Sequence, residues 1–336
     1  MTRFFFRLLI LFLFPATALA AEKVAVVTTI KPLHSLVQGV MGETGEAKLL
    51  ITGISSPHGF SLKPSQVRDM QGAGAIFYID EAFESFLKNA LESLPEDVRK
   101  VSLSHAEGVK LLEQREGGAW DEHDHDHGHS HAHSDDHDDH DDHKKEGHED
   151  HKGHENHEGH GTEADNLHLW LDPENAIYIT RAVAYELGRL YPENRTVYKE
   201  NALKQIARLN DLDTTLRTRL APLKGKAYIV LHDAYPYLEA RYDLMAVGSL
   251  TLEPDTPASA KRLKEIREKI QKTNAVCIFR EPQFDDRLLQ TAAEGLPVRL
   301  GTLDPLGAEL EPGTELYFTM MNTLADGLAD CLQDPS

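Results

Sequence analysis

Nineteen histidines occur in 336 residues, and they fall into two populations. Fourteen of them (His123, His125, His127, His129, His131, His133, His137, His140, His143, His148, His151, His154, His157 and His160) lie in one stretch rich in Asp and Glu. Imidazole interleaved with carboxylate suits divalent transition metals. A linker that was merely acidic and solvating would have no use for fourteen histidines, so these residues are read as accessory metal ligands. The stretch holds almost nothing with which to build a core and is expected to be disordered without metal. Its sites should be weak and fluxional, because each must order the chain in order to form.

The other five histidines are isolated. His34 lies off the apolar stripe of a helical pattern and is expected to be solvated. His105, in a polar turn after a strand, is read the same way. The remaining three share a topology. His58 sits in a loop entering a helix, His168 just before a helix capped by Asp172-Pro173, and His232 at the carboxyl end of the apolar run Ala227–Leu231. Ligands of open α/β sheets collect at that edge. Three neutral imidazoles make a good zinc site and a poor manganese site, although copper and nickel also accept them. Patterns for dinucleotide binding, phosphate loops, HExxH zinc peptidases and GxSxG hydrolases are absent; Gly72-Ala73-Gly74 lacks a third glycine and precedes a strand.

The elements that must position these histidines follow from hydrophobic periodicity. Strand-like runs at 23–29, 48–51 and 75–79 alternate with helical patterns at 32–41, 64–71 and 81–94. The pattern breaks near Gly117 and resumes near Asn166. A helix then runs to about Leu190, followed by a long one over 193–220 with Leu203, Ile206, Leu209, Leu212, Leu216 and Leu220 at helical spacing. A second series alternates strands at 227–231, 244–248, 275–279 and 297–300 with helices at 234–241, 257–272, 285–294 and 314–331. This predicts an α/β protein: two α/β lobes with mainly parallel sheets joined by one long helix, with a single larger sheet as the alternative. The boundaries read as an N-terminal lobe over 21–190 with an insertion at about 117–165, a linker helix over 191–222 and a C-terminal lobe over 223–336.

Residues 1–20 read as a cleaved secretory signal peptide, with Arg3 and Arg7, an apolar run and Ala18-Leu19-Ala20 before the cut. Arg7 leaves too short an apolar stretch to span a bilayer, and no cysteine follows to carry a lipid, so no membrane anchoring is expected. In an oxidising compartment Cys277 and Cys331, 54 positions apart, either pair, for about 4 kcal/mol, or stay as buried thiols. The formal charge of −20 argues against nucleic acid and anionic membranes as partners, although residues 121–160 alone hold fifteen Asp/Glu against three Lys.

Five motifs carry a family resemblance. "PHGFSLKPSQ", "HLWLDPENA", "LHDAYPYLEARY", "IFREPQF" and "GTLDPLG", in this order and with a His/Asp insertion between the first two, resemble the ZnuA-type zinc-binding proteins of bacterial ABC importers over essentially the whole mature chain. The resemblance implies two α/β lobes bridged by a rigid helix with the metal in the cleft. Carried over residue by residue, it implies His58, His168 and His232 as zinc ligands, with Asp304 or water in the fourth place. Some zinc members of the family place a glutamate before the first histidine; Pro57 stands here instead. The resemblance further implies a monomeric periplasmic protein that captures Zn²⁺ and passes it to the membrane permease subunit of an ABC transporter, without enzymatic activity. Import of manganese or another divalent metal, a free-standing zinc buffer and a zinc hydrolase are the alternatives.

Overall fold

The structure, a computed structural model, describes residues 24–115, 120, 165–251 and 259–333. The expected signal peptide and the fourteen clustered histidines lie outside these residues.

The first lobe is built from β1 (Val24–Thr28), α1 (Lys31–Met41), β2 (Gly45–Leu49), α2 (Pro64–Gln71), β3 (Ala75–Tyr78), α3 (Lys88–Glu92) and β4 (Arg99–Ser102). The four strands form a parallel sheet in the order β2-β1-β3-β4. Parallel strands covered on both faces need continuous apolar runs, and AIFY of β3 is buried throughout. The segment 81–94, expected as one helix, starts as turns and becomes helical only from Ser85. Glu84 takes a non-helical conformation and turns its buried carboxylate back onto the backbone N–H groups of Ile79 and Asp80. His34 also departs from expectation. It is buried, because β2 returns beside α1 and its carbonyl at Ala47 lies 3.0 Å from His34 Nε2.

Two short antiparallel strands, β5 (Leu112–Glu113) and β6 (Asp165–Asn166), close the base of the insertion. Then α4 (Pro173–Leu190) starts with Asp172 accepting from Glu174 N, as its sequence foretells. The joining helix α5 (Arg195–Leu220) is 26 residues long. Its buried row is Tyr198, Ala202, Gln205, Leu209, Leu212, Leu216 and Leu220, whereas Leu203, read as part of the apolar stripe, is 59% exposed.

The second lobe comprises β7 (Ala227–His232), α6 (Pro236–Tyr242), β8 (Met245–Thr251), α7 (Ala260–Thr273), β9 (Cys277–Arg280), α8 (Arg287–Ala293), β10 (Arg299–Thr302) and α9 (Leu316–Leu332). Its sheet is again four-stranded and parallel, in the order β10-β9-β7-β8. Every residue of β7 is buried, with Tyr228 and Val230 in one core and Ala227, Ile229 and Leu231 in the other. Cys277 and Cys331 form a disulfide that fastens β9 to α9.

Helix α5 packs on α1 and α4 of the first lobe and on α9 of the second, so one hydrophobic core runs from β1 through the helices to α9. Polar links reinforce it. Trp170 Nε1 donates to Pro305 O at 2.8 Å, and Lys31 Nζ, on the first lobe, donates to Ala308 O and Leu310 O on the second. Arg241 of α6 reaches Glu174 on α4 and Asp213 on α5. Among the described residues no helix is long and apolar enough to cross a membrane.

Candidate metal centre

The carboxyl ends of both sheets face a common cleft, and each of the three isolated histidines reaches it by a different route. His58 lies in the loop after β2, where Ser56 Oγ accepts its backbone N–H. His168 opens the short turn Leu169–Leu171 that leads into α4. His232 is the last residue of the interior strand β7. Their ligand nitrogens all lie within 4.8 Å of one another, and no other group of three or more His, Cys, Asp or Glu side chains is so placed among the described residues.

Hydrogen bonds set the orientation of two rings. His232 Nδ1 lies 2.6 Å from Glu281 Oε1, and an ionised carboxylate only accepts, so Nδ1 carries the proton. Asn166 Oδ1 accepts the backbone N–H of His168 and lies 3.2 Å from its Nδ1, which therefore donates as well. Both Nε2 atoms are left with lone pairs, and they face each other at 3.2 Å. A tetrahedral zinc with Zn–N of about 2.0–2.1 Å has an edge of about 3.3–3.4 Å, so the two nitrogens stand about where one ion would need them. A carboxylate behind a ligating imidazole fixes its tautomer and raises its basicity.

The surroundings favour neutral imidazole. Phe83 stacks edge-on to His58 and His168 with centroids 5.1 and 5.2 Å away, and Trp170 lies 5.3 Å from His168. Burial, and then repulsion from His232 and His58, hold the pKa of His168 well below the usual imidazole range. The cavity lined by His58, Phe83, His168 and His232 with Glu281, Gln283, Phe284, Pro305 and Leu306 measures about 10 Å³. That is room for about one water-sized body and not for an organic substrate.

Asp304 stands outside the trio. Its Oδ1 accepts from Gln283 Nε2 at 2.7 Å and from Leu306 N at 3.1 Å, and its Oδ2 accepts from Ala308 N at 2.6 Å. His34 is also elsewhere, against β2. His105 Nε2 lies 3.3 Å from Asp80 Oδ2, at the end of the first sheet. Glu281, Asn166 and Phe83 were not singled out by the sequence reading. Glu281 lay in view within "IFREPQF", but its partner follows from strand pairing. The β7–β9 register aligns Tyr228 with Cys277, and the same offset carried along both strands sets Glu281 beside His232.

The family model described as zinc-uptake complex component A, periplasmic, matches residues 26–331. The high-affinity zinc uptake system protein ZnuA of Brucella abortus is 44% identical over 319 residues, covering 95% of each chain. Its counterpart in Paracoccus denitrificans is 40% identical over 313 residues, covering 93% of each. A crystal structure of ZnuA superposes with a TM-score of 0.72 at 21% identity, covering 93% of this chain and 100% of that one. This last likeness is one of fold.

Proposed function

This chain belongs to the family of periplasmic zinc-uptake component A proteins, and from that premise we propose that it captures Zn²⁺ with His58, His168 and His232 and delivers it to an ABC permease. The observation that carries the reading is the convergence of three imidazole nitrogens within 4.8 Å, with Glu281 and Asn166 taking up two of the Nδ1 protons. Three neutral nitrogens favour zinc over manganese, whose sites are richer in carboxylate oxygen. Water or Asp304 completes the tetrahedron. Asp304 reaches the ion only by giving up bonds to Gln283, Leu306 or Ala308.

The remaining assignments are part of the same reading. Residues 1–20 direct export and are removed, and the mature protein works as a periplasmic monomer made of the two lobes and linker helix delimited above. The histidines from His123 to His160 act as a tethered reservoir. His160 is eight residues before His168, a reach of at most about 28 Å, which raises the local zinc concentration at the cleft.

Titration against a chelating competitor tests the proposal. The protein is expected to bind one zinc tightly, and the double variant His58→Ala, His232→Ala is expected to lose that site. Retention of the tight site by the double variant would show that the ion is held elsewhere.

A further inference from the structure

His168 and His232 come from segments far apart in the chain, yet one polar network joins them. Asn166 supplies the first half: its Oδ1 holds His168, and its Nδ2 donates to the carbonyl of Asp233 at 2.6 Å. Asp233 directly follows His232. Its carboxylate, 1% exposed, accepts from Arg115 Nε at 3.1 Å and Nη2 at 2.6 Å. Arg115 also bonds both oxygens of Glu239 on α6, at 2.9 and 3.2 Å. The network closes on itself, because Arg115 follows β5 and β5 pairs with β6 through Leu112 and Asn166. Tyr237 seals that junction, accepting from Leu112 N and donating to Asn166 O.

We propose that Arg115 is a positioning residue for the metal centre: through Asp233 and the β5–β6 ladder it holds the Nε2 atoms of His168 and His232 at the separation that one ion spans. The proposal rests on the zinc-ligand reading of those two histidines and adds a residue that does not touch the metal. A guanidinium is suited to the task. Its planar fork serves two carboxylates at once, whereas an ammonium offers a point charge without the paired geometry. It also places one positive charge between two buried carboxylates, 2.6 Å from Asp233 Oδ1 and 2.9 Å from Glu239 Oε2. Trp120 covers the guanidinium at 3.6 Å, and Lys269 fastens Trp120 by donating to its carbonyl at 2.7 Å. The two carboxylates are buried and the guanidinium is partly covered, so the charge-assisted bonds gain strength.

The test is Arg115→Lys in the full mature chain, which keeps the charge and so spares the buried carboxylates. Two readouts apply: zinc affinity by chelator competition, and the visible ligand-field bands of the cobalt(II)-loaded cleft site, which report its geometry. Arg115→Lys is expected to weaken zinc binding by about tenfold and to alter the cobalt bands. Arg99→Lys is the control. It loosens the two-pronged pair with Glu186 at the opposite end of β4, and is expected to leave both readouts as in the parent. An Arg115→Lys protein with parental affinity and bands would overturn the proposal, as would equal changes in the control. His232→Ala in the same series separates the two claims. If it keeps the tight site, the zinc reading itself is wrong; if it loses the site while Arg115→Lys is parental, only the positioning role falls.

Discussion

In the proposed zinc site the three imidazoles supply the ligands, and their neighbours set how well they do so. Glu281→Gln keeps an acceptor for His232 Nδ1 but removes the charge. Zinc affinity is expected to fall by about tenfold or more, and an unchanged chelator-competition curve would refute the role of Glu281. Protons should act on the zinc-free fold in two opposed ways. Burial is the main cause of the lowered pKa of both His34 and His168, so the unfolded chain protonates first, at about pH 6.5. That contribution is intact above pH 6.5 and is lost as pH falls toward the depressed folded values. Burial instead raises Glu84 to about 8, so its contribution is present below about pH 4.5 and is lost as pH rises toward 8. Thermal melts are therefore expected to show less acid-side loss in His34→Gln and less alkaline-side loss in Glu84→Gln. At this scale the three isolated histidines were legible from their placement beside helix starts and a strand end. Glu281 and His34 were not, because the first depends on which strand lies beside β7 and the second on β2 folding back beside α1.

The elements show why periodicity located the helices better than it located their faces. Helix α5 was expected to bury Leu203 and Ile206. The row leading back from Leu209 instead runs through Gln205, Ala202 and Tyr198, because Gln205 Nε2 bonds Leu36 O and Thr180 Oγ1 in the contact with α1 and α4. Leu209→Ala is accordingly expected to cost about 2–5 kcal/mol and Leu203→Ala to stay within about 0.5 kcal/mol, as measured by urea unfolding. Comparable losses would mean that α5 is rotated from the orientation described. The segment 81–94 had helical spacing, but a single carboxyl group, that of Glu84, accepts from the N–H groups ending β3 and so delays the helix. The cysteine pair was legible as a possibility from the expected compartment, and the parallel alignment of β9 and β10 against α9 is what brings the two sulfurs together. Its reduction in the zinc-free protein is expected to lower stability by about 4 kcal/mol.

At the scale of the whole molecule, the two sheets are built alike, and the core that runs through α1, α4, α5 and α9 sets their carboxyl ends facing each other. The α/β alternation foretold both sheets. The contacts that pin the lobes, such as Lys31 on the carbonyls at 308 and 310, join residues remote in sequence and left no local signature. The most conspicuous feature of the sequence, the His/Asp stretch, is assigned the lesser role. Deleting residues 121–163, which keeps Trp120 over Arg115, is expected to remove several weak zinc sites in a titration and to leave the tight one. That shortened chain also permits the most direct test of the account. X-ray absorption at the zinc edge, with one zinc per chain, is expected to show three imidazole nitrogens at about 2.0–2.1 Å and one further light ligand. A shell with one imidazole or none would contradict the claim that His58, His168 and His232 hold the ion.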